Sequence, residues 1–305
     1  MTSYLVRRAV LSGVVLFALT VLTFSMVNLS GDPVRLLLPP DASQEEVDRF
    51  RTRLGLDDPL LVRYVRFASQ AVRLDFGESI QLRDPALALV VERLPATLTL
   101  AGWAVLVAVL LGVPLGVVTA MRRDSAWDTV ITSLALLGQS APIFWVGVMS
   151  ILVFAVELRW LPSSGIGTAA HLVLPVGTLA LFLLGGLVRV TRTAMLDVLD
   201  LAYVRTATAK GVRRGGVVWR HAFRNALIPV VTQVGLQMRF VLGGSVITET
   251  IFAYPGLGRL LVTAVYARDY PLVVAGVFVV ALLLIVVNTL VDVSYAWLNP
   301  KVSLA

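Results

Sequence analysis

Few side chains in this sequence could make or break a covalent bond, and those present are poorly spaced for it. Cysteine is absent, which removes thiol nucleophiles, thiolate metal ligands and disulfides together. The two histidines, His171 and His221, lie fifty residues apart, so an imidazole metal centre is not expected. No H-E-x-x-H pair occurs, and no strand–turn–helix context for a nucleophile elbow. No G-x-x-x-x-G-K-[ST] phosphate loop occurs either, and Lys210-Gly211 has the reverse of the needed order. What remains is polarity placed inside apolar runs, where it is expensive and therefore functional by default. Gln139 and Ser140 sit in one run; Gln233, Gln237 and Arg239 sit in another. Gln233 and Gln237 are four residues apart and so share a helix face. Amides lining a wet path can exchange hydrogen bonds with a backbone of any sequence, though they can equally join helix to helix. Arg239 lies thirteen residues beyond Ala226, about 20 Å along a helix, too deep for easy snorkelling back to that end. Facing a path it would meet an anionic group such as a carboxylate. The alternatives are a structural ion pair or a reach to the far surface. The chemistry on offer is recognition and passage, not catalysis.

Such groups need spanning helices to hold them. Of 305 residues, 57% are hydrophobic and 15% charged, with a mean hydropathy of +0.85, against about 45–50% and about 25% in soluble domains. A helix of roughly 20 apolar residues crosses a bilayer, and six stretches qualify, near 9–29, 96–121, 128–156, 172–193, 227–249 and 271–298. Arg7 and Arg8 precede the first, which continues to Leu29 without an A-x-A-like cleavage site, as a retained signal-anchor does. With the N-terminus inside, the inner segments hold thirteen basic residues and the short outer loops three, Arg159, Arg259 and Arg268. That bias predicts an N-in/C-in chain of six helices. The net charge of +7 then follows from membrane topology, and no nucleic-acid partner is expected.

Segment 30–93 carries nine arginines and eleven acidic residues, and segments of this length cross largely regardless of charge. It is predicted to be a small extracytoplasmic insertion of short helices. Ser43-Gln44-Glu45-Glu46 has the form of a capping box. Asp58-Pro59 and Asp84-Pro85 each place an N-cap before a first-turn proline, and Gly55 suits a helix stop. Gly112-x-x-x-Gly116 and Gly243-Gly244 predict close helix packing, with Pro114 a kink. Asn288 and Asp292, again four apart, are expected to partner the basic loop before span five. Gly256 and Gly258 are expected to serve a tight turn.

That basic loop, Leu201 to Pro229, is the most informative stretch. Ala202 to Lys210 contains strong helix formers, and Gly211 can end a helix in the left-handed conformation. A second helix is expected to start after Gly215-Gly216 and run to Asn225, with Pro229 opening the next span. The sequence here resembles the inner-membrane permease subunits of ATP-binding-cassette importers, in the dipeptide/oligopeptide/nickel branch. Arg205-Thr206-Ala207, three residues and Gly211 match the start of that family's EAA loop, with Arg where its consensus has Glu. Ala209-Lys210-Gly211 and Arg220-His221-Ala222-Phe223-Arg224-Asn225-Ala226-Leu227-Ile228-Pro229 match the hallmark of the branch. Further matching pieces are Asp75-Phe76-Gly77-x-Ser79, Glu92 to Thr97, Ser140-Ala141-Pro142-x-Phe144-Trp145, Leu161 to Gly165, Tyr254 to Arg259, Arg268-Asp269-Tyr270-Pro271, and Asn299-Pro300. Arg239 departs from the family, which usually has a small residue there.

The resemblance implies an all-α, type I importer permease in the bacterial or archaeal cell membrane, with residues 1–29 a tail and first helix and 30–95 the insertion. Residues 96–298 would be a five-helix core, with a cytoplasmic coupling loop at 194–226, and 299–305 a cytoplasmic tail. Arg205, Thr206, Ala207, Ala209, Lys210 and Gly211 would meet the ATPase, and Gln139, Ser140, Gln233, Gln237 and Arg239 the substrate. Implied partners are a second homologous permease, two cytosolic ATPase subunits that bind ATP and Mg, and an extracytoplasmic substrate-binding protein. No cofactor, metal or catalytic residue is expected in this chain. The implied cargo is di- or oligopeptide, with glutathione, chelated nickel or another small solute as alternatives. An ATPase-independent carrier or channel is the competing class, and it leaves the loop motif unexplained.

Overall fold

A computed structural model of the chain describes residues 2–29, 43–53 and 57–298. The described residues are helical apart from loops and one isolated bridge, Glu78 to Pro85. In chain order the helices are α1 (Thr2–Leu29), α2 (Gln44–Arg53), α3 (Leu60–Val72), α4 (Ala86–Met121), α5 (Ala126–Ser140) and α6 (Ile143–Glu157). There follow α7 (Ala170–Leu199), α8 (Ala202–Ala209), α9 (Arg214–Ile251), α10 (Leu257–Tyr266) and α11 (Tyr270–Leu298). Five of them (α1, α4, α7, α9 and α11) are long and apolar enough to cross a membrane, and the bent pair α5–α6 makes a sixth candidate.

The expected single helix over 128–156 is instead broken. Between α5 and α6 the axis turns by 102°. Ala141 is extended (φ −70°, ψ 133°), as a residue before proline is pushed to be, and Pro142 then begins α6. Two further boundaries also differ from expectation. Pro229 lies inside α9 rather than opening a span, because the helix continues unbroken from Arg214 through a wide π turn at Val217–Phe223. Asp58 does not cap α3; Pro59 occupies the cap position, and the Asp58 carboxylate pairs with Arg66 at 2.6 Å. Pro85 likewise precedes a helix starting at Ala86. The capping box does form, with Ser43 N–H donating to Glu46 at 2.9 Å and Glu46 N–H to Ser43 Oγ at 3.3 Å. Those bonds hold the Glu46 carboxyl below its usual range. Gly55 and Asn299-Pro300 lie outside the described residues.

The chain divides into two compact units. One comprises residues 1–93 and 260–285. Within it, Ser79 Oγ donates to the buried Asp269 carboxylate at 2.5 Å, and Asp269 also accepts from Leu272 N–H at the start of α11. Phe76 packs on Phe278 with ring centroids 5.3 Å apart. Two motif pieces 190 residues apart thus meet at one carboxylate.

The other unit comprises residues 94–259 and 286–304, and its core is α4 on α7. A stripe of small residues, Ala101, Ala104, Ala108 and Gly112, faces Leu179, Leu183 and Leu187. A Cβ on Gly112 would come within 2.9 Å of Leu187, and one on Gly116 within 2.5 Å of Thr191. Lipid tails are as apolar as leucine, so helices gain from such close packing rather than from hydrophobicity alone. The expected Gly112–Gly116 contact is present. Of the Gly243-Gly244 pair, Gly243 meets nothing within 4 Å while Gly244 packs at ordinary contact on Ile143 and Leu179, and a closer approach is made by Gly185, onto Ala135 and Gln139 of α5.

Candidate translocation and coupling sites

The tight contact at Gly185 brings α5 against α7 and, with α9 on the adjoining face, creates a meeting point for amides. Around Gly186, a Cβ position would lie 2.6 Å from Gln237 Nε2, 3.0 Å from Gln233 Nε2 and 3.9 Å from Gln139 Nε2. Only a residue without a side chain leaves room for them. Gln237 is buried and donates to the Leu183 carbonyl at 2.8 Å, a second bond on an oxygen already within a helix. Gln139 and Gln233 are partly exposed. Three of the five expected path residues, from two helices, therefore share one place. Ser140 stands exposed at the α5–α6 break. Arg239 does not join the amides: its guanidinium lies 3.8 Å from Asp292 of α11. Asp292, expected to partner the basic loop, pairs with Arg239 instead, because α9 and α11 bring the two together within one unit.

The basic loop folds as a docked helix. Val204 and Ala207 of α8 are buried, while Arg205, Thr206, Ala209, Lys210 and Gly211 are exposed. Gly211 ends α8 with φ +77°, the left-handed conformation in which a Cβ is penalised. Tyr203 Oη accepts from Asn225 Nδ2 at 2.7 Å and ties α8 to α9 just past the π turn. The expected second short helix is absent as a separate element; its residues form the π turn, whose Val218 and Ala222 pack with Val117, Ala194 and Met195. A cavity of about 370 Å³ beneath α8 is lined by Met121, Leu199, Arg205, Thr208, Arg214 and Val217, among others.

Two buried polar clusters join residues far apart in sequence. Asp128, 5% exposed, takes both arms of Arg192, Nε and Nη2 each at 2.7 Å. Intramembrane ionisable residues mark themselves, but nothing local says which pair. The second is Glu249, fully buried near the end of α9. Its oxygens accept from Thr97 Oγ1 at 2.8 Å and from Arg259 N–H at 3.0 Å, while Leu257 N–H donates to Thr97 Oγ1 at 2.8 Å. The carboxylate thus sits on the first turn of α10, where backbone N–H groups and the helix dipole favour negative charge. Gly256 and Gly258, expected to serve only a turn, make room for that carboxylate: a Cβ on either would collide with it.

A chain whose described residues are helical, with several candidate spans, buried polar clusters bonded across its helices and a docked helix in the basic loop between two spans, is a multi-pass membrane protein of transporter class. Residues 112–304 match the family described as binding-protein-dependent transport system inner membrane component, and residues 1–101 match the N-terminal part described for such membrane components; the chain belongs to this family. It is 38% identical over 314 residues to the oligopeptide transport system permease protein AppB of Bacillus subtilis (strain 168), and 41% identical over 303 residues to the glutathione transport system permease protein GsiC of Escherichia coli (strain K12). In both cases 99% of each chain is covered. Among solved structures it resembles the MetNI methionine ABC transporter in inward-facing conformations, with a TM-score of 0.59 at 18% identity, over 69% of this chain and 96% of that one. That likeness concerns the fold.

Proposed function

We propose that the chain forms half of the translocation path for di- and oligopeptides in an ATP-binding-cassette importer, with ATP and Mg bound by separate cytosolic subunits. The convergence of Gln139, Gln233 and Gln237 on Gly186 carries the substrate class. A carboxamide has the donor and acceptor of a peptide bond, so a path lined with carboxamides can trade hydrogen bonds with any peptide backbone without reading side chains. The relatives named for oligopeptide and glutathione transport support this, since both cargoes are amide-linked. Ser140 at the helix break adds a hydroxyl to the same path, and Arg239, still 40% exposed beside Asp292, offers a cation to a peptide carboxylate.

In this proposal the N- and C-termini are cytosolic and the exposed face of α8 docks in a groove of the ATPase subunit through a few anchors. ATP-driven closure there biases the pore between two arrangements, a coupling between sites through a bistable element. A second permease completes the path, and a substrate-binding protein delivers cargo on the other side. No residue of this chain does covalent chemistry.

The test is ATP-dependent uptake of labelled di- and oligopeptides into proteoliposomes holding all partners. Lys210→Glu, which reverses an exposed charge without touching the core, should abolish uptake and binding-protein-stimulated ATP hydrolysis. Gly186→Leu should abolish uptake while ATP hydrolysis persists. Arg239→Glu should depress uptake of acidic peptides more than neutral ones. An assembled, ATP-hydrolysing complex that moves no peptide would assign another solute, and failure to bind any ATPase subunit would overturn the permease assignment.

A further inference from the structure

Helix α3 carries a surface that neither its packing nor the proposed path uses. Its residues fall into three stripes at helical spacing. One, with Tyr64, Phe67 and the buried Ala71, faces α1. Tyr64 Oη lies 3.1 Å from Thr20 Oγ1, the Tyr64 and Phe67 rings pack on Phe24 with centroids 5.4 and 5.7 Å away, and Arg63 donates to Asn28 Oδ1 at 2.5 Å. The second stripe is Arg63, Arg66 and Gln70, continued by Arg73 just past the helix; it is basic, with no acidic residue in α3. The third, opposite the arginines, is Leu61, Val65 and Val72, exposed by 73%, 58% and 84%.

Depth decides what meets that third stripe. The apolar run of α1 extends from Val6 to Asn28. Phe24 is four residues and Thr20 eight residues short of its end, about 6 Å and about 12 Å along the axis. Packed on those residues, α3 lies level with the last turns of a spanning helix, the depth at which interfacial helices bury an apolar face about 5–10 Å into the headgroup and acyl boundary. α1 also leaves Phe17 and Val21 exposed, Phe17 with its ring edge-on to Tyr64 at 6.4 Å, so both helices present apolar side chains at this level. On the far side Arg66 is paired with Asp58 and Arg63 is bonded to Asn28, while Arg73, just past the helix, has the sign that headgroup phosphates attract. We infer that α3 is an interfacial helix embedded in the leaflet at the C-terminal end of α1, with Leu61, Val65 and Val72 among the acyl chains. Part of the segment between the first two long apolar helices is then a membrane-bound brace on α1 rather than a free extracytoplasmic cap. The inference rests on the membrane-spanning character of α1 and is independent of what the protein carries.

The absence of cysteine makes the test clean. Single Leu61→Cys, Val65→Cys, Val72→Cys, Gln70→Cys and Arg73→Cys variants of the full chain, assembled with its partners in phosphatidylethanolamine–phosphatidylglycerol vesicles, would carry a nitroxide label. Each site is exposed, so labelling leaves the packed face intact, and elution as the assembled complex checks folding. At Leu61, Val65 and Val72 the collision rate with oxygen should exceed that with a water-soluble nickel chelate severalfold; at Gln70 and Arg73 the order should reverse. Equal access of the chelate to both stripes would overturn the inference in favour of a solvated face. Exclusion of both reagents from the apolar stripe would overturn it in favour of a protein partner.

Discussion

Arg192→Ala is expected to destabilise the detergent-solubilised protein by about 3–5 kcal/mol, the usual cost of stripping the partner from a buried charge. Asp128 is almost wholly enclosed, and both its oxygens are taken by Arg192 in a fork at 2.7 Å, the strongest geometry available to this pair. Asp124 N–H at 3.1 Å and Thr132 Oγ1 at 3.3 Å complete the cluster, so the loop before α5, α5 itself and α7 are joined at one point. Arg192 is seven residues from the end of α7, from which the chain passes directly into α8. The double variant Asp128→Ala/Arg192→Ala should recover much of the loss, because removing both charges leaves none buried and unpaired. Arg192→Lys should fall between, since an ammonium cannot make the parallel pair of bonds. Thermal unfolding of the wild type, these three variants and the Asp128→Ala single variant measures this, and strictly additive single effects would show that the two residues do not act as a pair.

Gly256→Ala should cost about 1–3 kcal/mol as overpacking, a large effect for one methyl group. Its Cβ would land on the Glu249 carboxylate, which Thr97 and the Arg259 N–H hold in place. In a Glu249→Ala background the same substitution should be close to neutral, because the space it needs is vacated. Glu249→Gln should itself destabilise: a carboxamide turns one acceptor into a donor facing a donor, which leaves a buried group unsatisfied at about 1–3 kcal/mol. If Gly256→Ala costs as much without the carboxylate as with it, the glycine serves the turn alone.

Local features of this protein could be read in the sequence because their physics closes within a few residues. The apolar runs are long enough to span on length alone, the Ser43–Glu46 capping box needs only residues three apart, and Gly211 at φ +77° answers the end of its own helix. The run 128–156 reads as one span by length although it contains Pro142, and the 102° turn there appears only in three dimensions, since a pre-proline residue restricts its own backbone and does not set the angle between two packed helices. The family resemblance, carried by Ala209-Lys210-Gly211 and Arg220 to Pro229, rests on the same contiguous signal.

Partner choice was decided by tertiary structure. Glu249 meets Thr97 across 152 residues, Asp128 meets Arg192 across 64, and Gln237 meets Leu183 across 54. Arg239 could have faced a path, a lipid surface or a carboxylate, and the packing of α9 with α11 brings Asp292 to it. Gly185 and Gly186 look like ordinary breaks in an apolar run until α5 and α9 are seen to press against them. A charged or amide group in an apolar bundle must find a partner, and its own sequence says so. Which partner it finds depends on which helix faces lie within about 3 Å of one another, and that is a property of packing.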